Sequence, residues 1–123
     1  MDKALLVGPG LEGGHRFVDV LVKTGVPVRA ALWHKPPLAD WRLSVVTPAR
    51  DSEGLEKLFE RTREVFENTE PRLELDENDI YFLGAKTNFA KSLRNQCSGI
   101  KNRATTIYDL EGDAHEAFVY FAK

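Results

Sequence analysis

The chain reads as short apolar runs separated by polar, glycine-rich or proline-rich joints, and the spacing within each run predicts its element. Between residues 17 and 22, Phe17, Val18, Val20, Leu21 and Val22 stand too densely for a half-exposed strand, and Gly25-Val26-Pro27 follows as a helix stop. A helix over about Pro9–Thr24 follows, with Pro9 suited to its first position, where the missing N–H is unpaired anyway, and Gly8 as its N-cap. Gly13 and Gly14 then fall inside that helix, at a cost of up to about 1 kcal/mol each relative to Ala. VPVRAALWHK and WRLSVVTP are β-branched and aromatic, and the KPPLAD between them is a proline loop, so the two runs predict an antiparallel hairpin. Pairing Trp33 with Trp41 sets Ala31 opposite Leu43 and Arg29 opposite Val45, with both indoles on one face.

The strongest periodicity lies in ARDSEGLEKLFERTREVFEN, where Leu55, Leu58, Phe59, Thr62, Val65 and Phe66 recur every three or four residues among charged ones. Asp51 or Ser52 caps this second helix and Pro71 ends it. An acidic lead, LELDEND, precedes a short strand from Asp79 or Ile80 to Leu83, broken by Gly84. Thr87 caps a third helix running to Cys97 or Ser98, with Gly99 as its stop. The remainder predicts two strands about a turn at Leu110-Glu111-Gly112-Asp113. The order helix, strand, strand, helix, strand, helix, strand, strand predicts a single α+β domain over residues 1–123, a sandwich of about five mostly antiparallel strands and three helices.

Gly8, Gly10 and Gly13 spell GxGxxG, the spacing of a dinucleotide-binding loop. That loop also needs a parallel second strand ending in an acid for the ribose. The second strand here ends in Trp33-His34-Lys35, and a proline loop returns where a helical crossover belongs. The glycines therefore predict a helix start, and no cofactor is expected.

Composition adds bounds. Apolar residues at 42% and charged residues at 29% are globular values, and no apolar run reaches the roughly 20 residues needed to span a bilayer, so a soluble protein without membrane association is expected. The first ten residues lack the apolar region of a signal peptide, which points to the cytoplasm. The single cysteine, Cys97, excludes an internal disulfide and reads as a small buried apolar residue. Net charge is −2, but residues 80–108 contain Lys86, Lys91, Arg94, Lys101 and Arg103 and no acid, whereas residues 1–79 hold 11 cations against 15 carboxylates. Such asymmetry points to an anionic partner.

The candidate chemistry is sparse. His15, His34 and His115 lack metal-ligand spacing, the acids from Glu70 to Asp79 lack the alternation of a calcium loop, and no serine sits in a nucleophile elbow, so neither metal nor catalytic residues are assigned. His34, Lys35, Asp40 and Arg42 flank the hairpin loop, a set that would suit a small hydrolase if its side chains converged. On the third helix, Phe89, Ala90, Leu93 and Cys97 share one face while Lys91 and Arg94 share another, with Lys86, Lys101 and Arg103 alongside to contact an anionic partner. Trp33, His34 and Trp41 are the candidates for an exposed protein-interaction surface. The combination ALW…WRLSVVTP, an acidic lead into DIYFLG, and a closing HEAFVYF resembles a group of small bacterial α+β proteins of uncharacterised function. The resemblance implies an α+β fold and transfers no site residue. The expectation is a non-enzymatic interaction or accessory protein, with a protein partner or a second copy in a homodimer, and a nucleic-acid-associated protein using residues 86–103 as the alternative.

Overall fold

A computed structural model of the chain describes residues 9–123. The elements are α1 (Pro9–Lys23), β1 (Ala30–Lys35), β2 (Arg42–Thr47), a one-turn α2 (Ala49–Ser52), α3 (Leu55–Asn68), a 3-10 turn (Glu77–Asp79), β3 (Ile80–Gly84), α4 (Asn88–Cys97), β4 (Arg103–Tyr108) and β5 (Ala114–Ala122). They build an α+β fold around one five-stranded sheet in the order β3-β2-β1-β5-β4. All neighbours are antiparallel except β2 and β3, which run parallel because α3 crosses between them.

Strand alternation sends odd-numbered residues of β1 and β2 to one side of the sheet and even-numbered residues to the other. Ala31, Trp33, Leu43 and Val45 meet Phe17, Val18 and Leu21 of α1 and Leu58 and Val65 of α3, forming the larger core. Leu32, Ile107, Ala117 and Val119 meet Leu93 and Cys97 of α4 on the opposite side, where Ala30 and Val46 also pack on Ala90. The sheet is thus covered on both faces, by α1 and α3 on one and α4 on the other.

The hairpin register differs from the expected one by two residues: Trp33 lies opposite Leu43 and Ala31 opposite Val45, with His34 opposite Arg42. A two-residue slip preserves the face, so both indoles still reach the same core. The second helix starts differently as well. Asp51 and Ser52 belong to α2, and Gly54 (φ +89°) occupies the N-cap of α3 with no side-chain cap. Thr87 caps α4 as expected, accepting from the Ala90 N–H at 3.2 Å. The expected N-cap of α1, Gly8, lies outside the described residues.

The two interior glycines of α1 have a packing reason. A Cβ on Gly14 would stand 2.6 Å from the Tyr120 hydroxyl and 2.7 Å from Trp33 Nε1, and one on Gly13 would stand 2.5 Å from the Glu74 carbonyl oxygen. Tyr120 reaches that position because the β1–β5 register shifts there: Ala31 pairs with Phe121 and Leu32 with Val119, leaving Tyr120 as the extra residue of a bulge. Its hydroxyl accepts from Trp33 Nε1 at 3.0 Å and donates to the Leu11 carbonyl, tying sheet to helix.

Candidate functional site

On the α4 side of the sheet, four polar side chains form one hydrogen-bonded line across three strands. Ser44 of β2 and His34 of β1 meet at 2.7 Å (Oγ to Nε2), His34 and His115 of β5 at 3.0 Å (Nδ1 to Nδ1), and His115 and Asp109 at 2.9 Å (Nε2 to Oδ2). Ser44, His34 and His115 are buried, with relative exposures of 1%, 2% and 4%. Alternation explains the convergence: His34 follows Leu32 on the even face of β1, Ser44 precedes Val46 on β2, and His115 precedes Ala117 on β5. Asp109 starts the β4–β5 turn, where its Oδ1 also accepts from the Glu111 and Asp113 N–H groups at 3.0 and 2.9 Å.

Donor order along the line follows from elementary chemistry. The Asp109 carboxyl is held below its usual range, first by the hydrogen bond from His115 and then by the turn N–H groups, and so serves as an acceptor. His115 then donates from Nε2, and with one ring proton it offers Nδ1 as an acceptor. His34 must donate from Nδ1, which leaves its Nε2 to accept from the Ser44 hydroxyl. With both rings neutral, this order assigns each a tautomer. Burial lowers the His34 pKa to about 3, assisted by His115 and Arg42, so the ring stays neutral at ordinary pH. Arg42 lies beside this line with its guanidinium 4.4 Å above the Tyr81 ring.

The hydrolytic grouping imagined from sequence does not assemble. His34 is bonded to Ser44 and His115, while Asp40 is an exposed residue of the hairpin loop. The proposed protein-interaction surface also requires correction, because Trp33, His34 and Trp41 are all buried, Trp33 and Trp41 in the core beneath α1 and α3 and His34 beneath α4. Both hairpin strands are interior strands of the sheet, covered on two sides, which sequence pairing alone did not reveal.

The basic segment has the opposite fate. Lys86, Lys91, Lys101 and Arg103 are exposed, and none of them is in an ion pair among the described residues. Arg94 is half-buried and donates from Nε to the Lys123 carbonyl at 2.9 Å, so it is partly structural. Most acids lie elsewhere, while Asp109, Glu111 and Asp113 sit in the β4–β5 turn next to Tyr108, which Gln96 of α4 bonds. Residues 51–79, with eleven carboxylates against four cations, form α3 and the strap beside α1. The sheet separates that surface from α4. None of the large exposed apolar residues falls between residues 84 and 103.

Sequence reading missed Asp109, His115 and Ser44 as members of one cluster. The available signal was a pair of histidines inside strands, each in step with the apolar positions of its strand. The adjacency of β1 and β5, 81 residues apart at the histidine contact, was not legible. No family model, curated protein or solved structure matches this chain.

Proposed function

We propose that this protein is a non-enzymatic binding module that docks nucleic-acid phosphate on its α4 face, using Lys86, Lys91 and Arg103; Lys101 instead lines a cavity with His15, Asp19 and Val22 of α1. One observation carries the reading: the carboxylate-free stretch supplies α4, the helix on one sheet face, and the acid-dense stretch supplies α3, which lies with α1 on the other. With α3 on the far side, its carboxylates do not neutralise the cations around α4. Exposed neighbours on α4 and its C-terminal end are Asn88, Asn95 and Ser98, hydrogen-bonding groups suited to phosphate and sugar oxygens. A protein partner would instead favour an apolar or aromatic centre to the contact, a feature the exposed surface of α4 lacks.

Titrating fluorescent single-stranded RNA and duplex DNA with the protein at several salt concentrations tests this. Binding should weaken steeply with salt, and Lys86→Glu with Lys91→Glu should abolish it while leaving the fold intact, since exposed substitutions change stability by under about 0.5 kcal/mol. Absence of binding to both nucleic acids at about 50 mM salt overturns the proposal.

A further inference from the structure

The Ser44–His34–His115–Asp109 line lies directly beneath α4. Phe89, in the first turn of that helix, sets its ring 6.1 Å from the His34 ring, and Ala90, Leu93 and Cys97 continue the contact over Ala30, Leu32, Val46, Ile107 and Val119. The two imidazoles are stacked, with centroids 5.3 Å apart and planes 14° from parallel. Two facing Nδ1 atoms at 3.0 Å accommodate one proton between them, so one ring donates and the other accepts.

Among the described residues, a further proton on His34 has no counter-ion bonded to it. From β2, Arg42 faces the ring with its own positive charge, and Ser44 is neutral. From β5, His115 faces it through Nδ1, with Asp109 bonded to the far nitrogen of His115. From α4 comes only the uncharged ring of Phe89. A buried imidazolium beside a guanidinium is strongly disfavoured, and water reaches His34 only if its cover is removed.

We infer that the line is an acid-released latch: α4 is held on the sheet over a neutral His34, and protonation of His34 goes with the state in which α4 has lifted away. The helix is joined to the rest of the molecule in a way that permits this. Beyond its apolar face it is anchored, among the described residues, by polar contacts in its C-terminal half: Arg94 to the Lys123 carbonyl and Gln96 to both backbone groups of Tyr108 (2.7 Å each). The latch stands independently of what α4 binds.

Native-state hydrogen exchange at rising denaturant, on the full chain between pH 7.5 and 5, tests it. Amides of residues 88–97 should exchange through an opening smaller than global unfolding. The equilibrium constant of that opening should rise about tenfold per pH unit below 6.5, because one proton is taken up in it. His34→Phe should remove the pH dependence of that opening. Exchange of α4 only with global unfolding, or through a smaller opening indifferent to pH, overturns the latch. Should His34→Phe fail to fold, nitrogen-15 NMR of the histidine rings decides on the unaltered protein. The latch requires His34 to stay neutral while the α4 amides are protected, and a His34 imidazolium at pH 5 in a protein whose α4 remains protected overturns it.

Discussion

At the residue scale, the chain places a histidine where hydrophobic patterning alone would place another aliphatic side chain, and this has a measurable consequence for stability. His34 has a folded pKa near 3 against 6.5 in the unfolded chain, so below pH 6.5 the unfolded state binds a proton that the folded state refuses. The sign follows: His34 leaves stability intact above pH 6.5 and subtracts from it as pH falls toward 3. The loss amounts to at most about 1.4 kcal/mol per pH unit. Asp109 acts in the same direction at lower pH, since its carboxyl is held down in the fold. Asp79 opposes it: burial first, then Asp76 and Asp40, raise its carboxyl, so the folded state takes up that proton more readily than the unfolded one. Urea unfolding at pH 7, 6, 5 and 4.5 checks the balance. A monotonic fall in unfolding free energy is expected, and a flat profile would mean that His34 is solvated. The histidine was visible in the sequence. Its burial was not, because the strand that supplies His115 arrives 81 residues later.

At the scale of elements, much was legible because each signal is local. Thr87 before an apolar repeat, Gly25 with φ +101° after one, and Pro36-Pro37 between two β-branched runs act within a few residues of themselves. The hairpin register was not legible to better than two residues, since a shift of two keeps Trp33, Trp41, Leu43 and Val45 on the core face and the pattern cannot distinguish the options. The helix glycines illustrate the reverse case. Propensity alone makes Gly13 and Gly14 a weakness of α1; the Glu74 carbonyl explains the first and the bulge at Tyr120 the second. Gly14→Ala therefore separates propensity from packing. An isolated helix gains up to about 1 kcal/mol from such a change. Here the new methyl meets the Tyr120 hydroxyl at 2.6 Å and Trp33 Nε1 at 2.7 Å, so a net loss of about 1 to 3 kcal/mol is expected. A stabilised variant in thermal or urea unfolding would show that Tyr120 and Trp33 yield freely.

At the scale of the whole molecule, the arrangement that matters for function is which charges share a face, and the linear sequence carries only half of it. The carboxylate-free run from residue 80 to 108 is plain in the sequence, but its separation from the acids of α3 depends on the crossover that puts α3 and α4 on opposite sides of the sheet. A packed layer is about 10 Å deep, and charges interact across about 8 Å at physiological ionic strength, so the two faces act on a bound polyanion nearly independently. Two charge-matched variants test that independence. Lys86→Glu with Lys91→Glu alters the α4 side, and Lys57→Glu with Arg63→Glu alters exposed positions of α3. Each pair makes the chain more negative by the same four charges. If attraction followed net charge, both would weaken nucleic-acid binding alike. If the α4 face makes the contacts, the first pair should abolish binding, while the second should leave both the affinity and the salt dependence near those of the unaltered chain. Each lost phosphate contact lowers the slope of log affinity against log salt by about 0.7 to 0.9, so single reversals at Lys86 and Lys91 should each reduce it by roughly one such step. Equal loss in the two charge-matched pairs would leave the α4 face with no special role.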